Sequence, residues 1–135
     1  MVEIQIKYEG DLHCTARHAP SGATITTDAP RDNKGKGEVF SPTDLVAAAL
    51  GTCILTIMGI QARRMDVDLR GSTVIVTKEM TPNVERRIAR LGVTVSVPVI
   101  LTAEQKQKLE HAAYTCPVHK SLHPDIQMPI TFNWA

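Results

Sequence analysis

The chain has 135 residues, with 15 Lys and Arg against 14 Asp and Glu, 43% hydrophobic residues and 21% charged ones. That length suits a single domain over residues 1–135 that buries about two-thirds of its unfolded surface and needs neither metal nor disulfide to fold, and the composition excludes wholesale disorder. A net charge of +1 and only 4% aromatic residues argue against a nucleic-acid partner, a membrane-surface binder or a base-stacking platform.

In chain order, Val2 to Tyr8 alternates apolar and polar residues, which predicts a half-buried strand. No apolar targeting segment stands at the start. Glu9-Gly10-Asp11 is turn chemistry, and Leu12 to Arg17 and Ala23 to Thr27 predict two more strands joined through Pro20-Ser21-Gly22. His13 and His18 on these strands read as surface residues, as does His111 further on. Asp28 to Val39, punctuated by Pro30, Asn33, Gly35 and Gly37, predicts a loop.

Ser41-Pro42-Thr43-Asp44 is the clearest helix start. Ser41 suits N-cap, Pro42 has no N–H to leave unpaired, and Asp44 can reach back to the cap at the positive end of the dipole. The helix should run to about Arg64, with Arg63 and Arg64 at its negative end. Leu45 to Ala62 carries no charge and approaches the length of a membrane span. Ala, Gly and Thr supply much of it and no aromatic belt flanks it, so it reads as a buried helix of a soluble protein rather than a membrane segment.

Val67 to Lys78 predicts a strand and Thr81-Pro82-Asn83 a turn; Val84 to Val99 is less regular, but its later part, Leu91 to Val97, is a clean alternating strand, which makes two or three strands here. Thr102 and Gln105 form a capping box for a helix running to about Tyr114. Pro117 predicts a short helix through Leu122 with Cys116 at or beside its N-cap, and Ile126 to Trp134 a final strand. Strands and helices do not alternate strictly, so the fold class is α+β rather than a doubly wound parallel sheet.

Three cysteines, Cys14, Cys53 and Cys116, are too few for a disulfide framework and read as cytoplasmic thiols. Cys53, inside the apolar helix, is read by itself as an inert core thiol. Cys116 at a helix N-terminus, with His119 and Lys120 in the next turn, fits a thiol of lowered pKa, or else an ordinary small residue before proline. Cys116, His119 and Cys53 could also ligate zinc, but they lack a second ligand pair at recognised spacing, so neither metal nor cofactor is expected.

Taken together, Ser41-Pro42-Thr43-Asp44 through Cys53 and Cys116-Pro117-Val118-His119-Lys120-Ser121-Leu122 resemble the two active-cysteine segments of the OsmC/Ohr superfamily, 63 residues apart as in that family. The closer resemblance is to its OsmC-like branch. It implies an OsmC-like fold, with antiparallel sheets wrapped around a long central helix in an intertwined homodimer. It also implies a cofactor-free thiol peroxidase acting on organic hydroperoxides. Cys53 would be the peroxidatic thiolate, Cys116 would resolve it as a disulfide, and a dithiol reductant such as a lipoyl protein would restore both. An arginine held by a carboxylate pairs with the reactive sulfur in that family; Arg17 is the candidate here, with Arg31 as runner-up. The family's glutamate follows the helix-start proline directly. This chain has Thr43 there and Asp44 one position later, which turns the carboxylate by about 100°. Asp44 is thus either the arginine holder or only the cap. The competing reading is a non-catalytic OsmC-like dimer that binds a small apolar ligand or senses redox state.

Overall fold

The computed structural model describes residues 1–135 and divides into two compact units, Met1–Val46 and Ala47–Ala135. The first unit holds an antiparallel sheet in the order β1 (Ile4–Gly10), β2 (His13–His18), β3 (Thr24–Asp28). The β1–β2 turn takes two positive-φ residues, Asp11 at 51° and Leu12 at 63°. Such primed geometry follows the twist of the strands but strains a residue as bulky as leucine. The Leu12 amide donates to the Tyr8 hydroxyl at 3.2 Å, which helps to hold it there. Leu12 is therefore turn, and β2 starts one residue later than its apolar pattern suggests.

The expected loop after β3 is closed on itself. It contains a 3-10 turn at Arg31–Asn33, and the Asp28 amide donates to the Phe40 carbonyl at 3.1 Å where the chain returns. Glycine is obligatory at position 35, because a Cβ there would lie 1.7 Å from the Ala29 carbonyl oxygen.

Helix α1 (Pro42–Arg64) has the limits the sequence predicts. Its capping box is complete: the Asp44 amide donates to Ser41 Oγ at 3.1 Å and the Ser41 amide donates to the Asp44 carboxylate at 2.9 Å. By length and composition alone this helix could cross a membrane. In the second unit it buries Leu50, Ile54 and Met58 completely, at the four-residue spacing of one helix face. Gly51 brings the backbone close to β4 (Thr73–Met80), since a Cβ there would lie 3.0 Å from Val76 and 3.2 Å from Val74.

The second sheet has the order β4, β5 (Ile88–Val97), β6 (Ile130–Trp134). On β5, Leu91, Val93, Val95 and Val97 are buried at every second position, as the alternation predicts. Helices α2 (Ala103–Ala113) and α3 (Pro117–Ser121) lie between β5 and β6. Only β4–β5 and the first sheet are antiparallel; β5–β6 is parallel, because the α2–α3 connection is long enough for a crossover. Two strands are shorter than expected. Residues 67–69 are irregular and a turn follows at Arg70 and Gly71, with φ 86° at Gly71 and the Ser72 amide donating to the Leu69 carbonyl at 3.0 Å, so β4 starts at Thr73. Pro129 has no N–H for the ladder, and only Gln127 makes an isolated bridge to Arg90 before β6 starts at Ile130.

Candidate active site

Cys53 stands at the start of the fourth turn of α1 and is half-buried. Cys116 is the N-cap of α3 and fully buried. Proline at N1 starts α3 immediately after the cysteine and aims the free amides of its first turn at the sulfur. The His119 N–H donates to Cys116 Sγ at 3.4 Å. The His119 ring lies edge-on to Tyr114, with centroids 6.2 Å apart. Helix α2, capped by a Thr102–Gln105 box with both bonds made, delivers the chain to Cys116 through Tyr114.

The electrostatics of Cys116 differ from what its cap position suggests. Burial is the largest influence and pushes its thiol above the ordinary value of 9.0. Hydrogen bonding with the Cys53 side chain raises it further, the His119 amide lowers it, the charge of Cys53 raises it, and the Val118 amide lowers it. The cap hydrogen bonds act in the expected direction but are outweighed. The fold therefore sets Cys53 and Cys116 within interaction range and keeps Cys116 as a neutral thiol. Once the second, more accessible sulfur is oxidised, Cys116 can attack it as it gives up its proton, and the product is a disulfide.

The raised pKa makes a stability prediction. The folded chain holds the Cys116 proton more tightly than the unfolded chain, so this contribution is fully present below about pH 9. It is lost as pH rises through the unfolded value toward the higher folded one. Urea unfolding of the reduced protein between about pH 8 and about pH 11 should show a steeper alkaline loss than Cys116→Ser, which has no thiol to ionise. Equal slopes would contradict the shift.

Arg17 is on β2, exposed, and donates to Gln5 Oε1 at 3.4 Å across the β1–β2 pair. The Asp44 carboxylate accepts from the Ser41 amide, so the cap role is filled. Cys14 is half-buried on β2, opposite Tyr8 and Thr27. His111 is exposed, as expected, whereas His13 and His18 are half-buried. His18 Nδ1 meets Ser21 Oγ at 2.6 Å in the β2–β3 turn.

The family described as OsmC-like protein matches residues 35–131. A crystal structure from Psychrobacter arcticus, of a protein named for osmotic-stress induction and a detoxification response, is 43% identical. It covers 98% of this chain and 96% of its own, with a TM-score of 0.92. An OsmC-like protein from Mycoplasma pneumoniae shares the fold at TM-score 0.83 and 15% identity, covering 100% of this chain and 97% of its own. The organic hydroperoxide resistance protein OhrB of Bacillus subtilis shares it at TM-score 0.71 and 14% identity, covering 98% and 97%. No curated protein matches the chain.

Proposed function

The chain belongs to the OsmC-like protein family, and from that premise we propose that it is a cysteine-based peroxidase reducing organic hydroperoxides through a Cys53–Cys116 disulfide. The observation that carries this reading is the juxtaposition of the two thiols, with burial and Cys53 together keeping the proton on Cys116. The name of the Bacillus subtilis protein, an organic hydroperoxide resistance protein of the same fold, agrees with it.

In the first step the Cys53 thiolate attacks an oxygen of ROOH. The O–O bond breaks, ROH leaves after taking up one proton, and sulfur is oxidised to the sulfenic acid. In the second, the Cys116 sulfur attacks Cys53–SOH; an S–S bond forms and water leaves with the Cys116 proton. A dithiol, such as a lipoyl protein, then reduces the disulfide and becomes oxidised itself. A reducing cytoplasm is the compartment in which such thiols are regenerated. Arg17 is our candidate for the cation that favours the Cys53 thiolate, and Asp44 for the carboxylate that orients it in addition to capping α1. These two roles rest on the family resemblance, and turnover by Arg17→Ala and Asp44→Asn tests them.

An intertwined homodimer belongs to the same proposal. Ile4, Ile6 and Tyr8 on β1 are 50%, 69% and 63% exposed, and Ile60 on α1 is 47% exposed. On α1 the Thr52 and Thr56 hydroxyls bond back to the Ala48 and Thr52 carbonyls at 2.8 Å, so this polar content is already satisfied if a partner covers the helix. Sedimentation at micromolar concentration should give twice the chain mass; a monomer would sink the dimer.

The test of the chemistry is consumption of tert-butyl hydroperoxide with a dithiol, followed by a non-reducing peptide map. Turnover with Cys53 joined to Cys116 is expected. In Cys116→Ser the first step remains but resolution is lost, so a sulfenic acid on Cys53 should accumulate and be trapped by dimedone. Persistent peroxide and reduced thiols would favour the non-catalytic reading.

A further inference from the structure

His13 and Asp28 are directly opposed partners on β2 and β3, so their side chains share one face of the sheet. The loop after β3 folds back tightly at Gly35, and the Glu38 amide donates to Asp28 Oδ2 at 3.1 Å. This return sets a second carboxylate beside the pair. His13 Nε2 lies 3.6 Å from Asp28 Oδ2 and 3.8 Å from Glu38 Oε2.

The other ring nitrogen decides what this means. His13 Nδ1 lies 2.7 Å from the Asp11 carbonyl oxygen, which can only accept, so Nδ1 carries the hydrogen. In the neutral ring the lone pair of Nε2 then faces two carboxylates. Three acceptors converge, with the Glu38 amide on Asp28 Oδ2 as the donor beside them, and a cation between them would relieve their repulsion. A proton on Nε2 would serve, but 3.6 and 3.8 Å are longer than hydrogen bonds. They are close to the ligand–ligand edge of a tetrahedral zinc site, about 3.3–3.6 Å for ligands about 2.0–2.2 Å from the ion. Lys36 does not fill the gap, because its ammonium is 4.0 Å from the outer oxygen of Glu38, Oε1.

Two further observations agree. Asp28 is 1% exposed, and its second oxygen, Oδ1, is buried with no hydrogen-bond partner, leaving a free acceptor on the same carboxylate. The Nδ1–H to carbonyl contact is the outer bond that metal-bound histidines usually make, fixing tautomer and ring direction.

We propose that His13 Nε2, Asp28 and Glu38 form a binding site for a divalent transition metal of the zinc class, with water completing the coordination on the exposed Glu38 side. All three ligands belong to the unit Met1–Val46, and none takes part in the thiol chemistry. The ion would fasten the Asp28–Phe40 loop to β2.

The test is calorimetric titration of the full chain with zinc chloride, in a Cys14→Ser/Cys53→Ser/Cys116→Ser background that removes competing thiols. One zinc per chain is expected, together with a zinc-dependent rise in Tm. Glu38→Gln, at an exposed position, should weaken binding more than about tenfold, and His13→Ala likewise. If the thiol-free chain does not fold, the His13 imidazole resonances of the wild-type chain, assigned with His13→Ala, should shift with one equivalent of zinc. Absence of stoichiometric binding, binding indifferent to both substitutions, or unmoved His13 resonances would overturn the site.

Discussion

Cys53→Ser should lower hydroperoxide turnover by about three orders of magnitude or more, to the level of uncatalysed peroxide loss with the dithiol. The first step needs a polarizable anion that can attack an O–O bond, and a serine hydroxyl is not ionised near neutral pH. The substitution exchanges sulfur for oxygen at a half-buried helix position, so the fold should persist. Cys116, fully buried with a raised pKa, is a poor substitute for the initial attack. Its sulfur should stay reduced in the peptide map of Cys53→Ser, whereas Cys116→Ser should stop one step later with oxidised Cys53. Those two blocks, at different stages, separate a peroxidatic from a resolving role in a way that loss of activity alone does not. Cys14→Ser should leave turnover unchanged. Wild-type rates in Cys53→Ser would remove the proposed mechanism.

Leu50→Ala should destabilise the protein by about 3–5 kcal/mol, read as a lower urea midpoint at unchanged slope. Leu50 is completely buried on the face of α1 that also buries Ile54 and Met58. Its neighbour Gly51 already lies against Val74 and Val76, so α1 cannot settle further onto β4 to fill the space. Against a typical total of about 5–15 kcal/mol, that loss is a large fraction. A change below about 1 kcal/mol would mean that the helix is not packed as described. Turnover per folded molecule should fall far less than in Cys53→Ser, because no reacting atom is removed.

Much of the architecture was legible from local chemistry. The limits of α1, the boxes at Ser41 and Thr102, the Cys116 cap and the β5 alternation all appear where the residues put them. Each depends on groups within about four residues of one another. The errors lie where a longer-range or backbone constraint intervened: Leu12 drawn into a turn by Tyr8, and β6 delayed by Pro129. For Cys53 the residues alone favoured an inert core thiol; its partnership with Cys116 entered by family resemblance, because no local pattern links positions on α1 and α3. His13 was read as a surface residue because nothing near it in sequence announces Asp28 and Glu38.

By itself, then, the sequence determined an α+β chain, its helix limits and caps, and two motif-borne cysteines, since these follow from spacing and local hydrogen bonding. Only the tertiary structure decided the raised pKa of Cys116, the parallel entry of β6 and the convergence of His13, Asp28 and Glu38. Desolvation, strand register and loop closure set these three. Each is a property of groups far apart in the chain, and takes a value only once packing has brought them together.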